Sequence, residues 1–240
     1  MDQTLDFRKS RITWNENIQV GDMNASIPQI IQALREHMTE ERVARLDEVL
    51  QARSLHVVSV LENIYDQGNV SAVMRSSEAF GFMGMYLVDK PGAKFKAANR
   101  VTKGADKWLD VRSFSAPADC VKDLKSRGYQ VWATDLDTEH SIDTLDWSRP
   151  LAIVLGNENA GVSDEMKSLC DGTFRIPMLG FSQSFNISVA AALIFYRAHL
   201  ETRKLGEKSK LSEKERAQVL ANYYLRCFDN PEALLKKKLT

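Results

Sequence analysis

Strand-like and helix-like segments alternate along residues 56–204, and this alternation limits the possible folds more than any other feature of the chain. The strand-like segments, rich in Val, Ile and Leu, are 56–64, 85–89, 109–114, 130–137, 151–158 and 172–178. Helical patterns occur at 69–80, 116–127, 163–170 and 187 to about 204. This order is typical of a mostly parallel sheet with helices on both faces. The sequence therefore predicts an α/β fold.

Shorter helical patterns lie on both sides of this region. Thr39 is a predicted N-cap of a helix with one apolar stripe, and 27–37 is a second helical pattern. Residues 1–26 show no clear period, which predicts either partial disorder or a segment that wraps a partner. The polar linker "GEKSKLSEKE" precedes a last helical stretch. We predict an N-terminal extension at 1–53, a core domain at 54–204 and a basic helical tail at 205–240.

Composition and cysteine spacing exclude several classes of protein. A chain of 240 residues with 44% hydrophobic content can bury one sizeable core. It has neither an apolar run of the length that a membrane helix needs nor a signal peptide, so we predict a cytoplasmic protein without a membrane partner. Cys120, Cys170 and Cys227 are far apart and form no CxxC, so we predict reduced, buried thiols and no metal site.

Positive charge is concentrated in two places, although the net charge is zero. Residues 197–240 carry 11 Lys and Arg against 6 Asp and Glu. A second basic cluster, whose only acid is Asp106, consists of Lys94, Lys96, Arg100, Lys103 and Lys107. Basic patches of this kind predict contact with nucleic-acid phosphates, and the alternative is an ordinary solvated face.

Two common nucleotide-binding motifs are absent from the sequence. A G-x-G-x-x-G motif does not follow the first strand, which argues against a dinucleotide site. The segment "GNENAGVS" has two glycines at P-loop spacing, Gly156 and Gly161, but Val162 stands where a P-loop needs lysine. A phosphate-binding P-loop is therefore excluded.

Three polar loops follow strands, at the edge of a parallel sheet where ligands usually bind. In the first, "NIYDQGNVSAVMRSSEAFGF", we predict Asn69 as a helix N-cap, with Ser71, Arg75 and Glu78 on the face opposite the buried side chains. The alternative interpretation is that Arg75 and Glu78 form an ordinary surface ion pair.

The second and third loops precede helices. In "LAIVLGNENAGVSDEM" a buried strand runs into Gly156 and Glu158, and Ser163 is a predicted helix cap. In "LGFSQSFNISVAAALIFY" a polar loop comes directly before an apolar helix, for which Asn186 could serve as an ordinary N-cap. The helix from Ile187 is apolar around most of its circumference, so we predict that it is buried, partly in a homodimer.

Together the three segments resemble the SpoU/TrmH branch of the SPOUT superfamily, whose members methylate ribose 2′-hydroxyls of RNA. The motifs "NVSAVMRSSEAFGF", "IVLGNENAGVS" and "IPMLGFSQSFNISVAAALIFY" occur in the family's order, and the resemblance covers about residues 39–204. It implies a deep C-terminal trefoil knot, S-adenosylmethionine as cofactor and a homodimer that includes the helix from Ile187.

The resemblance also implies roles for single residues. The positions around the cofactor would be Thr134, Leu155, Gly156, Ile176, Met178 and Phe185. The polar active-site positions would be Asn69, Arg75, Glu158, Ser184 and Asn186. Because a guanidinium stays protonated, we expect Arg75 to clamp a phosphate and stabilise a developing oxyanion rather than act as the base. We expect Glu158 to orient Arg75 or Asn69, and Ser184 and Asn186 to hold the ribose or the cofactor.

The RNA substrate is predicted from what flanks the core. Short helices and a basic tail look like the tRNA enzymes that methylate guanosine 18 in the D-loop, whereas ribosomal RNA enzymes often carry a separate N-terminal RNA-binding domain. We therefore predict tRNA, with Lys94, Lys96, Arg100 and Lys103 on its phosphates. The alternatives are a ribosomal RNA 2′-O-methyltransferase, a base-methylating SPOUT enzyme and a catalytically silent RNA-binding knot protein.

Overall fold

The computed structural model describes residues 12–89, 102 and 104–239. The chain divides into two compact units, a larger one within 54–209 and a smaller one that combines 12–53 with 210–239. The predicted phosphate contacts Lys94, Lys96, Arg100 and Lys103 lie outside the described residues. The predicted domain division at 1–53, 54–204 and 205–240 stays a prediction.

Strands and helices alternate through the described residues as the sequence predicts. In chain order the elements are β1 (Asn17–Val20), β2 (Met23–Ser26), α1 (Ile27–Arg35), α2 (Glu40–Gln51), β3 (Ser54–Glu62), α3 (Gln67–Ala79), β4 (Phe82–Val88), β5 (Asp110–Phe114), α4 (Pro117–Ser126), β6 (Gln130–Thr134), β7 (Leu151–Leu155), α5 (Asp164–Leu169), β8 (Gly172–Phe174), α6 (Ile187–Leu205), α7 (Glu213–Leu225) and α8 (Pro231–Leu239). Short 3₁₀ turns span Ala105–Trp108, Ile142–Thr144 and Gly206–Ser209.

The larger unit is built on a six-stranded sheet in the order β5-β4-β3-β7-β6-β8. Every neighbouring pair is parallel, which confirms the predicted α/β class. Since the strands run in one direction, β3, β7, β6 and β8 end at the same edge of the sheet. The loops that follow these four strands therefore lie together. The trefoil knot stays a prediction.

Both faces of this sheet are covered. Val58 and Val60 of β3 pack in one apolar cluster with Cys120 and Leu124 of α4. Residues that alternate with them along the strand, such as Val57 and Leu61, point to the opposite face and are equally buried. The helix that follows β3, α3, packs against α6. A sheet buried on both sides explains why its central strands are continuous apolar runs.

Three of the four predicted helix caps are confirmed. Thr39 accepts a hydrogen bond from Arg42 N (3.2 Å), Ser163 accepts one from Met166 N (3.1 Å), and Asn186 accepts one from Ser188 N (2.8 Å). The assignment of Asn69 as a cap is wrong. Asp66 caps α3 instead, with its carboxylate 2.7 Å from Gly68 N, so the helix begins three residues earlier than a cap at Asn69 implies.

Ser71 was predicted on the outer face of α3, and this prediction is wrong because Ser71 is fully buried. The helix is enclosed by more than one neighbour: it contacts β4, α6 and the 3₁₀ turn Ala105–Trp108. A small side chain allows such close approach on a second side of the helix. Arg75, one turn further along, is exposed as predicted.

Three strands end three or four residues earlier than the sequence predicts, at Thr134, Leu155 and Phe174. After β7 the backbone folds back on itself, with Asn157 N donating to Gly161 O (3.0 Å) and Gly161 N to Asn157 O (2.8 Å). A Cβ on Gly156 would lie 2.2 Å from the Gly161 carbonyl carbon, so only glycine fits where the loop turns back.

The smaller unit contains a hairpin that the sequence reading missed. β1 and β2 pair antiparallel across a two-residue turn at Gly21 and Asp22, with Gly21 at φ +58°. α1 packs against α7 and α8, and α2 packs against α7. The Asn222 side chain bonds both main-chain groups of Thr13. Among the described helices, none is long and apolar enough to cross a membrane.

Candidate active site

Polar contacts join the three loops that the sequence reading singled out. Glu158, in the loop after β7, reaches the start of α3, where its carboxylate accepts hydrogen bonds from Tyr65 N (3.0 Å) and Asp66 N (3.2 Å). It also accepts one from Asn69 Nδ2 (2.9 Å). One carboxylate thus holds both the backbone before α3 and a side chain in the first turn of that helix.

The third loop joins through Asn186. Its Nδ2 donates to Asn69 Oδ1 (3.2 Å), while its Oδ1 accepts from Ser188 N (2.8 Å) and Ser188 Oγ (2.6 Å). Asn186 is therefore both the N-cap of α6 and a hydrogen-bond partner of Asn69, and its role in the active site stays a prediction. We call Glu158, Asn69 and Asn186 the amide network.

The protonation of Glu158 follows from these contacts. Partial burial by itself raises the pKa of a carboxyl group, but the hydrogen bonds from Asn69 and from main-chain N–H groups stabilise the charged form, and the pKa of Glu158 is lowered overall. Glu158 is thus an ionised acceptor at neutral pH. A carboxylate with a lowered pKa is a weak base, and one contact that the structure shows for it is the hydrogen bond that fixes the Asn69 side chain.

A second buried contact, which the sequence reading missed, fixes the loop after β7. Glu62, the last residue of β3, is fully buried and accepts hydrogen bonds from Ser163 N (2.9 Å) and Ser163 Oγ (2.6 Å). Asn157 Nδ2 donates to Asn63 O (2.8 Å). These bonds hold both ends of the loop that carries Glu158 against the end of β3. The sequence signal that could have indicated this contact is an acidic residue, Glu62, at the end of an otherwise mostly apolar strand.

The predicted cofactor positions lie at the ends of neighbouring strands. Thr134 ends β6, pairs with Phe174 of β8, and donates through Oγ1 to Val154 O of β7 (3.0 Å). Leu155 is buried at the end of β7. Ile176 and Met178, in the loop after β8, are half-buried. These residues supply a largely apolar floor at the edge of the sheet.

The loop after β8 is notable for its main-chain N–H and C=O groups. Within the described part of the chain, residues 176–185 make no main-chain hydrogen bond to one another or to the sheet. Their N–H and C=O groups are therefore available to a ligand. Phe185, the last predicted cofactor position, retains 40% of its side-chain exposure.

Two predicted catalytic residues lie outside the amide network. Arg75 is exposed on α3, and among the ion pairs of the described residues none involves it, so the surface pair with Glu78 does not form. Ser184 is exposed, and within the described residues its hydroxyl makes no hydrogen bond. The structure thus brings together Asn69, Glu158 and Asn186, whereas Arg75 and Ser184 stay accessible to a ligand.

The sequence that contains these three loops is similar to that of known proteins. Residues 56–196 match the SpoU rRNA Methylase family. A tRNA (guanosine(18)-2′-O)-methyltransferase of Aquifex aeolicus (strain VF5) is 34% identical over 187 residues, which is 77% of this chain and 89% of that protein.

Two solved structures share the fold. The A. aeolicus TrmH/SpoU tRNA modifying enzyme has a TM-score of 0.71 at 33% identity and covers 78% of this chain and 96% of its own. An AdoMet-bound rRNA methyltransferase from Sinorhizobium meliloti has a TM-score of 0.55 at 26% identity and covers 65% of this chain and 59% of its own. The family match spans more than half of the sequence and includes all three loops that meet at the amide network. The chain therefore belongs to the SpoU rRNA Methylase family.

Proposed function

We propose that this protein transfers a methyl group from S-adenosylmethionine to the ribose 2′-hydroxyl of guanosine 18 in tRNA. The observation that carries the proposal is the amide network, which joins the three family loops at the carboxyl edge of a parallel sheet. The name of the A. aeolicus relative, of which this chain covers 89%, supports the choice of nucleotide.

The residues at the edge of the sheet fit S-adenosylmethionine. Leu155, Ile176 and Met178 offer apolar surface to an adenosine, and the available main-chain groups of 176–185 can bond its polar edges. When bound, this cofactor supplies an electrophilic methyl group on a sulfonium. The AdoMet-bound S. meliloti relative supports the same cofactor.

The chain's own residues must make a weak nucleophile reactive. A ribose hydroxyl attacks well only if it is aligned with the methyl group and its developing negative charge is stabilised. Arg75 is accessible and permanently charged, so it clamps a phosphate beside the target ribose and stabilises the oxyanion. Asn69, held by Glu158 and Asn186, offers a fixed amide to the substrate side of the site. Ser184 contacts the ribose or the cofactor.

A homodimer is part of the proposal. Val189, Leu193, Tyr196 and Leu200 lie at i, i+4, i+7 and i+11 on α6, and each is at least 36% exposed. The opposite side of the helix is buried, with α3 among its neighbours, so this row forms a second apolar stripe. A second copy of the chain covers it most simply, because the same stripe can pack against itself about a two-fold axis.

The remaining assignments follow from the same reaction. Residues 54–204 form the catalytic domain, with 1–53 and 205–240 as flanking extensions, and the basic residues track tRNA phosphates. A tRNA substrate places the protein in the cytoplasm. A ribosomal RNA substrate is the second candidate, supported by the name of the S. meliloti relative.

One atom in the substrate tests the proposal. Purified protein is given labelled S-adenosylmethionine and either an unmodified tRNA transcript or the same tRNA with 2′-deoxyguanosine at position 18. We expect transfer to the first and loss of transfer to the second, since only the acceptor oxygen is missing. Equal transfer to both RNAs would rule out this acceptor.

A further inference from the structure

Tyr65 is an exposed aromatic residue at the border of the amide network. The residue retains 84% of its accessible surface, although the residue before it, Ile64, is buried. A single exposed apolar residue is common on a protein surface, but tyrosine is enriched at binding surfaces because its ring is apolar and its hydroxyl group is polar. The position of Tyr65 beside the amide network, and not its exposure alone, points to a binding role.

The backbone that carries Tyr65 is fixed. Its N–H donates to Glu158 Oε2 (3.0 Å), and the next N–H, of Asp66, donates to Glu158 Oε1 (3.2 Å). Asp66 then caps α3 through Gly68 N. The main chain that carries the ring is thus held in place. Binding a ligand against the ring therefore costs little additional backbone entropy.

The same carboxylate that holds Tyr65 also holds Asn69. Glu158 Oε1 accepts from Asn69 Nδ2 (2.9 Å), and Asn69 is bonded to Asn186 (3.2 Å). Tyr65 therefore shares its Glu158 contact with Asn69, which faces the ribose in the proposed function. Unpaired bases in RNA loops are commonly bound by stacking on aromatic rings, because every base has a π face.

We infer that Tyr65 is a substrate-binding residue whose ring stacks on an unpaired base next to the methylated nucleotide. This inference rests on the proposed function. It assigns Tyr65 a contact with the base, whereas Arg75 contacts the phosphate and Asn69 faces the ribose. The stacked base fixes the neighbouring ribose at the site and adds affinity that does not depend on charge.

The inference is tested by tRNA affinity of the full-length protein, measured for wild type, Tyr65→Phe, Tyr65→Leu and Tyr65→Ala. Loss of one base–aromatic stack weakens binding about 5- to 150-fold. We expect that loss for Ala, a smaller but clear loss for Leu, which keeps apolar area without a π face, and wild-type affinity for Phe. Affinity for S-adenosylhomocysteine, the slope of affinity against salt and the melting temperature should not change, because the ring carries no charge and is exposed.

An abasic RNA identifies the contact. With the base removed at the position next to guanosine 18 that Tyr65 contacts, wild type should bind as weakly as Tyr65→Ala, and the two proteins should no longer differ. The inference is overturned if Tyr65→Ala binds intact tRNA like wild type, or if its loss persists with both neighbouring bases removed in turn. A fall in molecular mass for Tyr65→Ala would instead make Tyr65 a contact between two copies. Failure of the wild type to methylate tRNA would refute the proposed function, which the affinity series does not measure.

Discussion

At the scale of single residues, Arg75 distinguishes an active site from an ordinary surface most sharply. An exposed arginine on a helix contributes about 0.2–0.5 kcal/mol through a surface pair, so removing it would hardly matter. As a clamp on developing charge it contributes about 3 kcal/mol, and Arg75→Ala should slow methyl transfer at least about a hundredfold. Arg75→Lys should stay severely impaired, because lysine lacks the two-pronged geometry.

The measurement is single-turnover transfer of labelled methyl to unmodified tRNA transcript, with melting temperature as the control for folding. Arg45→Ala is the matched variant, since Arg45 is an exposed helical arginine paired with Glu48. It should react like wild type. Near wild-type transfer by Arg75→Ala would remove Arg75 from the active site.

Glu158 should act through position rather than through proton transfer. Glu158→Gln keeps the shape but replaces one of the two acceptor oxygens by an NH₂ group. An NH₂ group cannot accept a hydrogen bond, so the variant loses either the bond from Tyr65 N or the bonds from Asp66 N and Asn69 Nδ2. We expect at least about a tenfold loss of transfer rate, equal at every pH from 6 to 8, because the wild-type group is ionised throughout. A pH profile that loses an ionisation in the variant would show that Glu158 is a base.

The lowered pKa of Glu158 also predicts how stability changes with pH. Its hydrogen bonds stabilise the folded state fully above the ordinary glutamate value of 4.5, and this contribution is lost as pH falls through the lower folded pKa. Wild type should therefore be more stable than Glu158→Gln at pH 7, and the difference should shrink towards pH 3. Glu165→Gln, an exposed acid in the following helix, serves as the control in thermal melts.

The sequence predicted part of the site at this scale. Asn69, Glu158 and Asn186 were located by their resemblance to family motifs, and the contact of Glu158 with Asn69 was one of the two that we expected. The bond between Asn186 and Asn69 was not predicted, because sequence spacing gives no side-chain direction. Asp66 rather than Asn69 is the N-cap of α3, because the main-chain N–H of Gly68, two residues later, lies within reach of the Asp66 carboxylate. The contact of Glu62 could not be predicted, because the sequence does not distinguish a buried acidic residue at a strand end from an exposed one.

At the scale of elements, β5 contains a buried ion pair that stabilises one edge of the sheet. Arg112 contacts Asp110 (3.2 Å) and Asp123 (3.7 Å), and its guanidinium lies 5.7 Å from the centre of the Tyr86 ring. Breaking a buried pair leaves an uncompensated charge, so Asp110→Ala should lower the free energy of unfolding by about 3–5 kcal/mol.

Chemical denaturation measures this loss. The double variant Asp110→Leu with Arg112→Met should lose less than Asp110→Ala alone, because both buried charges are removed together. Asp119→Ala, at an exposed position in α4, is the control. Equal stability of Asp110→Ala and wild type would contradict a structural role for the pair.

Element types were easier to predict from the sequence than element ends. Long apolar runs identified the strands, yet β6, β7 and β8 stop at Thr134, Leu155 and Phe174 because the loops leave the sheet to form the site. The hairpin of β1 and β2 was missed, although Gly21 followed by Asp22 between two short runs is a turn signal. Strands of four residues show too little alternation to be recognised without it.

At the scale of the whole molecule, the exposed stripe on α6 predicts a dimer. Leu193→Glu places a charge in the middle of that stripe and should convert the protein to a species near 27.1 kDa at micromolar concentration. Lys122→Glu, at an exposed position on α4 rather than on α6, should leave the dimer intact. Light scattering decides the matter: a wild-type mass near that of one chain would contradict the homodimer.

The central claim is that the protein methylates one ribose in tRNA. Its most direct test is mass spectrometry of nucleosides from tRNA of a strain that lacks the protein, compared with the parent and with the same strain complemented by wild type or Arg75→Ala. We predict that 2′-O-methylguanosine at position 18 disappears on deletion and returns only with the wild-type protein. An unchanged level of that nucleoside in the deletion strain, or loss of a base-methylated nucleoside instead, would contradict the account.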